Sequence, residues 1–355
     1  MKRNNTPRPW RRVVLITLCV ILSVLLLALV AAVIYMENLL SLINKKDPDV
    51  PQDTLSSSQI DDILNQTDPT DPDFTGPSMD GGDVTWDPDV TDPVENSQNI
   101  INIMLIGQDR RPGETRARSD SMILCTINKS AKTVTLSSFM RDMYVQIPGY
   151  RDNRINVSYA IGGMKLLDSC IEKNFGVTVD ANVEVDFNGF EKIIDILGGV
   201  EIELTKSEAD YLNRRGNWGV EDNAGKWNLK QGLNKLNGSQ AVAYSRVRDV
   251  GNGDFGRTNR QRIVLSALAD KAKTMSLSQL NELLQSILPL LTTDMSDAQI
   301  LSYAAQLFPL LTDLTIVTQQ IPADGAYKMT MIDGMSVLLP NLEANREILA
   351  DIVRE

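Results

Sequence analysis

The chain has 355 residues, with 46 acidic against 35 basic side chains, a net charge of −11 and no histidine. Without an imidazole there is no Ser-His-Asp triad, no Cys-His pair and no histidine-rich zinc site, so any chemistry falls to carboxylates, arginines, hydroxyls or an oxygen-bound metal. The acidic balance also offers no broad basic face, and no nucleic-acid partner is expected.

In chain order, residues 1–12 form a cationic tail carrying Lys2, Arg3, Arg8, Arg11 and Arg12. Residues 13–35 follow as an uncharged run rich in Leu, Val, Ile and Ala, long enough to cross a hydrocarbon core of about 30 Å. The run is too long for the apolar core of a cleaved signal peptide, and no small-residue cleavage site follows it. The prediction is an uncleaved single-pass anchor in a cell membrane. Its cationic flank marks a cytoplasmic N-terminus, so the remainder of the chain is expected outside the cell.

Residues 36–98 read as an acidic linker. Between 47 and 98 there are fourteen acidic side chains, no Lys or Arg, and repeated Asp-Pro units. Such a stretch buries too little apolar surface to offset its ordering entropy, so a self-repelling spacer is expected. Three cysteines make no disulfide framework. Cys19 lies in the membrane run; Cys125 and Cys170 sit on apolar periodic segments and read as buried thiols, and nothing in their spacing demands that they pair.

From 99 to 355 the pattern is that of a folded domain. Strands are predicted at 101–106, 122–128, 133–139, 183–187 and 200–204, and helices at 163–175 and 189–197, from their β-branched runs and helical apolar spacing. Residues 207–231, polar and glycine-bearing, read as a surface excursion. Asn237 is placed to cap a short helix at 239–244, and longer helices are expected at 259–274, 277–292 and 296–311. A strand at 314–319, a hairpin through 329–332 and a helix at 342–352 complete the chain; 276–355 reads as part of the same domain. The fold class expected is α/β, a mixed central sheet with helices on both faces, preceded by one transmembrane helix.

Two features carry chemistry. Residues 244–262 place Arg246, Arg248, Arg257, Arg260 and Arg262 around a glycine-rich turn. Arginine suits phosphate because its guanidinium is planar, permanently charged and forked. A strand end at Gly107-Gln108-Asp109 is followed by Arg118 and Asp120 before the next strand. Two carboxylates there could hold Mg2+ with phosphate oxygens completing its shell, or be a cap and a solvated charge. Arg141-Asp142 closes a further strand, and Arg151, Asp152 and Arg154 add charge nearby.

The segments Arg118-Ser-Asp-Ser-Met-Ile-Leu, Phe139-Met-Arg-Asp-Met-Tyr-Val, Arg154-Ile-Asn-Val-Ser-Tyr-Ala-Ile-Gly-Gly, Val185-Asp-Phe-Asn-Gly-Phe, Leu197-Gly-Gly-Val-Glu, Gly238-Ser-Gln-Ala-Val-Ala-Tyr-Ser-Arg-Val-Arg and Gly253-Asp-Phe-Gly-Arg-Thr-Asn-Arg-Gln resemble, in order and spacing, the LytR-CpsA-Psr family. The resemblance runs from about residue 99 to 273. It implies an extracytoplasmic phosphotransferase, dependent on magnesium (or manganese), that moves an anionic glycopolymer of the teichoic acid or capsule type. The donor carrier would be undecaprenyl pyrophosphate and the acceptor peptidoglycan, joined through a phosphodiester. It further implies Asp109 and Asp120 as metal ligands, with Asp120 also a base for the acceptor hydroxyl. Arg118, Arg141, Arg246, Arg248 and Arg257 become a pyrophosphate clamp supported by Gln261, with Arg118 and Arg141 at the reacting centre beside Asp120. Arg260 and Arg262 are left as faces of the following helix. Release of phosphate to water, or retention of wall polymer without turnover, remain the alternative activities.

Overall fold

The computed structural model describes residues 34–46, 55–65, 77–86, 97–108, 118–215, 227–310 and 312–354. Compact units are formed by Met1–Ile43 and by Asn44–Glu355. In the first, residues 34–40 are helical, and no helix among the described residues is long and apolar enough to cross a membrane. The span expected at 13–35 lies, but for its last two residues, outside the described residues.

The second unit is built on a mixed sheet. Its strands are β1 (Asn44–Lys45), β3 (Ile100–Gln108), β4 (Ser119–Asn128), β5 (Thr133–Phe139), β8 (Ala181–Asp186), β11 (Thr292–Thr293) and β12 (Thr315–Ile321), in the order β1-β11-β8-β3-β4-β5-β12. The pairs β3–β4 and β4–β5 are antiparallel, while β3–β8 and β5–β12 are parallel. Three short pairings stand apart from it: β2 (Ser78–Met79) on the hairpin of β13 (Tyr327–Ile332) and β14 (Met335–Pro340), β6 (Tyr144–Val145) on β7 (Asn153–Arg154), and β9 (Val200–Leu204) on β10 (Gly232–Leu236).

The two faces of the sheet are packed differently. Along β3, Met104 and Ile106 are buried while Ile103, Leu105 and Gly107 are only half-buried, the alternation that a pleated strand imposes. The buried set packs against α2 (Ile155–Phe175) and α9 (Leu342–Arg354) through Met164, Leu167, Phe175 and Leu349. The other set faces α3 (Phe187–Ile196) and α6 (Gly253–Lys273), which do not fill the space over it. Helix α2 begins eight residues before its predicted start and bends at Gly163, whose φ of 64° and ψ of −150° suit a residue without Cβ.

The linker and the excursion both differ from expectation. Residues 57–65 of the predicted spacer form helix α1 (Ser57–Asn65), whose Leu64 is buried in the main core. Trp86 stacks on Tyr144 at 6.3 Å and donates to Asp152 at 2.6 Å. A few apolar residues suffice here because the folded domain supplies their partners. Residues 206–215 form helix α4 (Lys206–Arg215), which buries Ala209, Tyr211 and Leu212; the pattern was masked by its polar outer face. Cys125 and Cys170 are free thiols, both pushed up to about 12 by burial.

Helix α5 (Gly238–Arg246) starts at a capping box between Asn237 and Gln240. Its first residue lies against α3: a Cβ at Gly238 would stand 2.1 Å from the Glu191 carbonyl oxygen, and its amide donates to Asp195 at 2.7 Å. Gly238→Ala is therefore expected to lower stability by about 1–3 kcal/mol, as overpacking does. Urea unfolding checks this, and an unchanged midpoint would show that the two helices part freely.

Candidate active site

Strand ends and one helix start bring the charged groups together. Asp120 sits where the β3–β4 register shifts: Gly107 pairs with Ser121 and Gln108 with Ser119, so Asp120 is the extra residue of a bulge. Bulges re-aim side chains, and this one presents Asp120 to Arg141, at the end of β5, at 2.8 Å. Arg141 Nε also lies 3.5 Å from both Asp142 and Asp254. Arg154 approaches Asp142 at 3.6 Å, and Arg248 and Arg257 approach Asp254 at 3.2 and 3.5 Å. Asp254 and Arg257 belong to α6, which starts at Gly253, six residues before the predicted helix.

Four guanidinium groups thus surround three carboxyls. Burial and a hydrogen bond to Asp254 raise Asp142 to about 6, partly offset by Arg141 and Arg154. Burial works against the charge on Asp254 too, but the hydrogen bond from Asp142 and the charges of Arg257, Arg141 and Arg248 hold it well below the carboxylate range. Of the two, Asp142 is therefore the carboxyl that takes up a proton first as pH falls. Burial also opposes the charge on Arg141, yet Asp142, Asp254 and Asp120 together raise it. Arg257 falls to about 10 through burial and the proximity of Arg141. With four guanidinium groups against three carboxyls the cluster carries excess positive charge, which an anion would neutralise.

The apolar cleft adjoins this cluster. It encloses about 210 Å3 over the half-buried sheet face, between Leu105, Ile123 and Val183 of the sheet and Phe190, Leu265 and Leu268 of α3 and α6. Gln261 and Ser245 are among its few polar lining residues. Arg246 lies 4.6 Å over the ring of Phe187, another lining residue, so the guanidinium is held at the cleft wall.

The predicted residues are therefore brought together unequally. Asp120, Arg141, Arg248 and Arg257 share one charged network, while Arg246 and Gln261 border the cleft beside it. Arg118 donates to the Ile63 carbonyl of α1 at 3.2 Å. Asp109 lies outside the described residues. Asp142, Asp254 and Arg154 were missed as site residues; the only signal was their place beside arginines, which spacing does not distinguish from surface charge. Arg260 is not a solvated face: it is buried, pairs with Glu208 at 2.8 Å and donates to the Val247 and Val250 carbonyls. Arg262 is buried as well.

Carboxylate oxygens with neither imidazole nor thiolate suit a hard cation such as Mg2+ or Mn2+. Among the described residues no three acids converge as a finished metal cage. Of the two acids expected to hold such an ion, Asp120 is paired with Arg141 and Asp109 lies outside the described residues.

A protein with a mixed α/β sheet, a buried arginine–carboxylate cluster and an adjoining apolar cleft is equipped to hold an anionic head group on an apolar tail. A model of the LytR_cpsA_psr family matches residues 62–352, and the chain belongs to that family. It is 31% identical over 268 residues to Regulatory protein MsrR of Staphylococcus aureus, covering 74% of this chain and 77% of that protein. It is 35% identical over 179 residues to the polyisoprenyl-teichoic acid–peptidoglycan teichoic acid transferase TagT of Bacillus subtilis, covering 49% of this chain and 53% of TagT. The crystal structure of B. subtilis TagT superposes with a TM-score of 0.58 at 27% identity, over 76% of this chain and 94% of that one. TagT has also been solved with octaprenyl pyrophosphate lipid bound, and that structure superposes at 0.55 with 26% identity, over 76% of this chain and 93% of that one.

Proton uptake by Asp142 gives a pH signature. A folded Asp142 near 6 holds its proton more tightly than an unfolded one near 3.8, so stability is expected to fall as pH rises from about 4 to 6. Asp254 acts oppositely, and its contribution is lost as pH drops below the carboxylate range. Asp142→Asn should flatten the slope between pH 4 and 6 in denaturant unfolding; an unaltered slope would mean another group titrates there.

Proposed function

We propose that the protein is a phosphotransferase that moves an anionic glycopolymer of the teichoic acid or capsule type from undecaprenyl pyrophosphate to peptidoglycan, forming a phosphodiester. The observation that carries this reading is the juxtaposition of the apolar cleft and the charged cluster: Ser121, Ser245 and Gln261 line the cleft, Asp120 and Arg246 are the chain neighbours of the two serines, and Arg257 lies one turn before Gln261 on α6. The cleft takes the hydrocarbon and the guanidinium groups take the pyrophosphate. The transferase and bound-lipid descriptions of TagT agree with that assignment.

In this reading Arg141, Arg248 and Arg257 orient the pyrophosphate, and Arg246 and Arg118 flank it. The acceptor hydroxyl oxygen attacks the phosphorus bearing the glycopolymer. A new P–O bond forms, the bond to the lipid phosphate breaks, and polyprenyl phosphate leaves. Asp120, re-aimed by the bulge, accepts the hydroxyl proton while Arg141 holds its carboxylate in place. Asp109 and Asp120 would hold a magnesium or manganese ion, which would supply charge neutralisation to the phosphate oxygens. Asp142 and Asp254 position the arginines rather than touch substrate. Phosphoryl transfer asks mainly for positioning and charge neutralisation, which this set provides without histidine. The anchor at 13–35 would place the domain on the outer face of the cell membrane, beside a lipid-linked donor.

The full chain in detergent, given a labelled lipid-linked glycopolymer and peptidoglycan, is expected to transfer label only with a divalent cation. Arg141→Ala should lower kcat/KM by about 10²–10³, the loss typical of removing one charge-stabilising group. Equal rates in the variant would overturn the site. Leu265→Trp, which fills the cleft, should raise the donor KM with little change in kcat. The name of the MsrR relative favours a second reading, a regulator that binds wall polymer without turnover. Tight donor binding with no product would establish it, and phosphate release without acceptor would mark a phosphatase.

A further inference from the structure

Helix α6 separates two sites. Gln261, Leu265 and Leu268 face the apolar cleft, whereas Arg262, Ser266 and Asp270 line a polar groove of about 680 Å3 on the opposite side. The far walls of the groove are Glu201 of β9, Lys235 of β10 and Thr318 of β12. Arg262 is only 7% exposed, yet among the described residues its Nε and Nη1 find no acceptor, and its single hydrogen bond is from Nη2 to Asn259 at 3.3 Å. Burial lowers its pKa below the usual guanidinium value. A buried guanidinium with two unmatched donors at the wall of a groove is built for an oxygen anion.

The other charges narrow the class of ligand. Lys271 donates to the Gly199 carbonyl at 2.6 Å, and Lys235 lies on the same rim. Asp270 pairs with Lys273 at 2.9 Å, and Glu201 adds a second acid. A polyphosphate chain would be repelled by the two acids, whereas a short peptide carrying both carboxylate and ammonium groups matches cations and acids together. Arg262 follows Arg257 by five residues on one helix, about 7–8 Å along the axis. The groove therefore runs along the same helix as the charged cluster, on the side away from the lipid cleft.

We propose that this groove is the acceptor subsite, with Arg262 binding a free carboxylate of the peptide carried by the peptidoglycan strand. The proposal rests on the transferase reading for the identity of the acceptor. It adds a specificity-determining residue on the face of α6 away from the donor.

The test is binding of a disaccharide-pentapeptide peptidoglycan fragment to the full chain in detergent, by calorimetry without donor. The free-acid fragment is expected to bind, and converting its carboxylates to carboxamides should weaken binding by about tenfold or more, the worth of one charge-assisted contact. Arg262→Gln should lose as much, and the amidated fragment should lose nothing further on that variant. Lys235→Glu, on the exposed rim, should weaken the free acid too, and the amidation arm needs no variant at all. Equal binding of acid and amide, or of wild type and Arg262→Gln, overturns the proposal. So does Arg262-dependent binding of a glycerol phosphate oligomer in place of the peptide. No turnover enters the measurement. Loss of transfer with the binding pattern intact would count against the transferase reading alone, and the converse against the groove alone.

Discussion

Arg141 lies 2.8 Å from Asp120 and 3.5 Å from Asp142 and Asp254, and so ties together the β4 bulge, the end of β5 and the first turn of α6. Its charge survives burial because three carboxyls surround it. Those carboxyls tolerate one another because four guanidinium groups surround them, and Asp142 takes up a proton as pH falls through about 6 while Asp254 stays ionised among the arginines. Remove any member and a buried charge loses its partner, which is why the cluster behaves as a unit. The arrangement has a functional consequence. Guanidinium groups remain in excess, already oriented by the fold, as a site for an oxygen anion requires.

The sheet supports this cluster by having unlike faces. One face is sealed by α2 and α9 and provides the rigid base. The other is left apolar and part-open beneath α3 and α6, so a hydrocarbon can occupy space that core side chains occupy in an ordinary α/β domain. Gly238 lets α5 approach α3 closely, and that contact brings Arg246 over Phe187 at the cleft wall. Helix α6 then acts as a partition. Its first turns hold Asp254 and Arg257 of the charged cluster, one side lines the cleft, and the other presents Arg262 to the polar groove.

Much of this was legible in order but not in space. β5 and β9 fall where their β-branched runs predicted them, because the signal is local: β5 is largely buried, and β9 alternates buried Val200, Ile202 and Leu204 with exposed Glu201 and Glu203. Helix α6 was started too late because Gly253 and Gly256 weaken the helical signal where Asp254 needs it. Helix α4 was lost in a polar stretch whose buried apolar residues are Ala209, Tyr211 and Leu212, beside a buried Glu208. Part of the acidic linker docks because Leu64 and Trp86 find partners on the domain, which composition over a window averages away.

Residue type and spacing by themselves determined the chemical repertoire: no imidazole, arginines in sequence clusters, carboxylates at strand ends and a long apolar run near the N-terminus. Those are properties of covalent order. Only the tertiary structure decided which charges meet. Asp142 and Asp254 are 112 positions apart in sequence and meet on Arg141, whereas Arg257, Arg260 and Arg262 lie on one helix and face three different surroundings. Helical rotation turns each residue by about 100°, so neighbours in the chain diverge while strand ends distant in the chain converge.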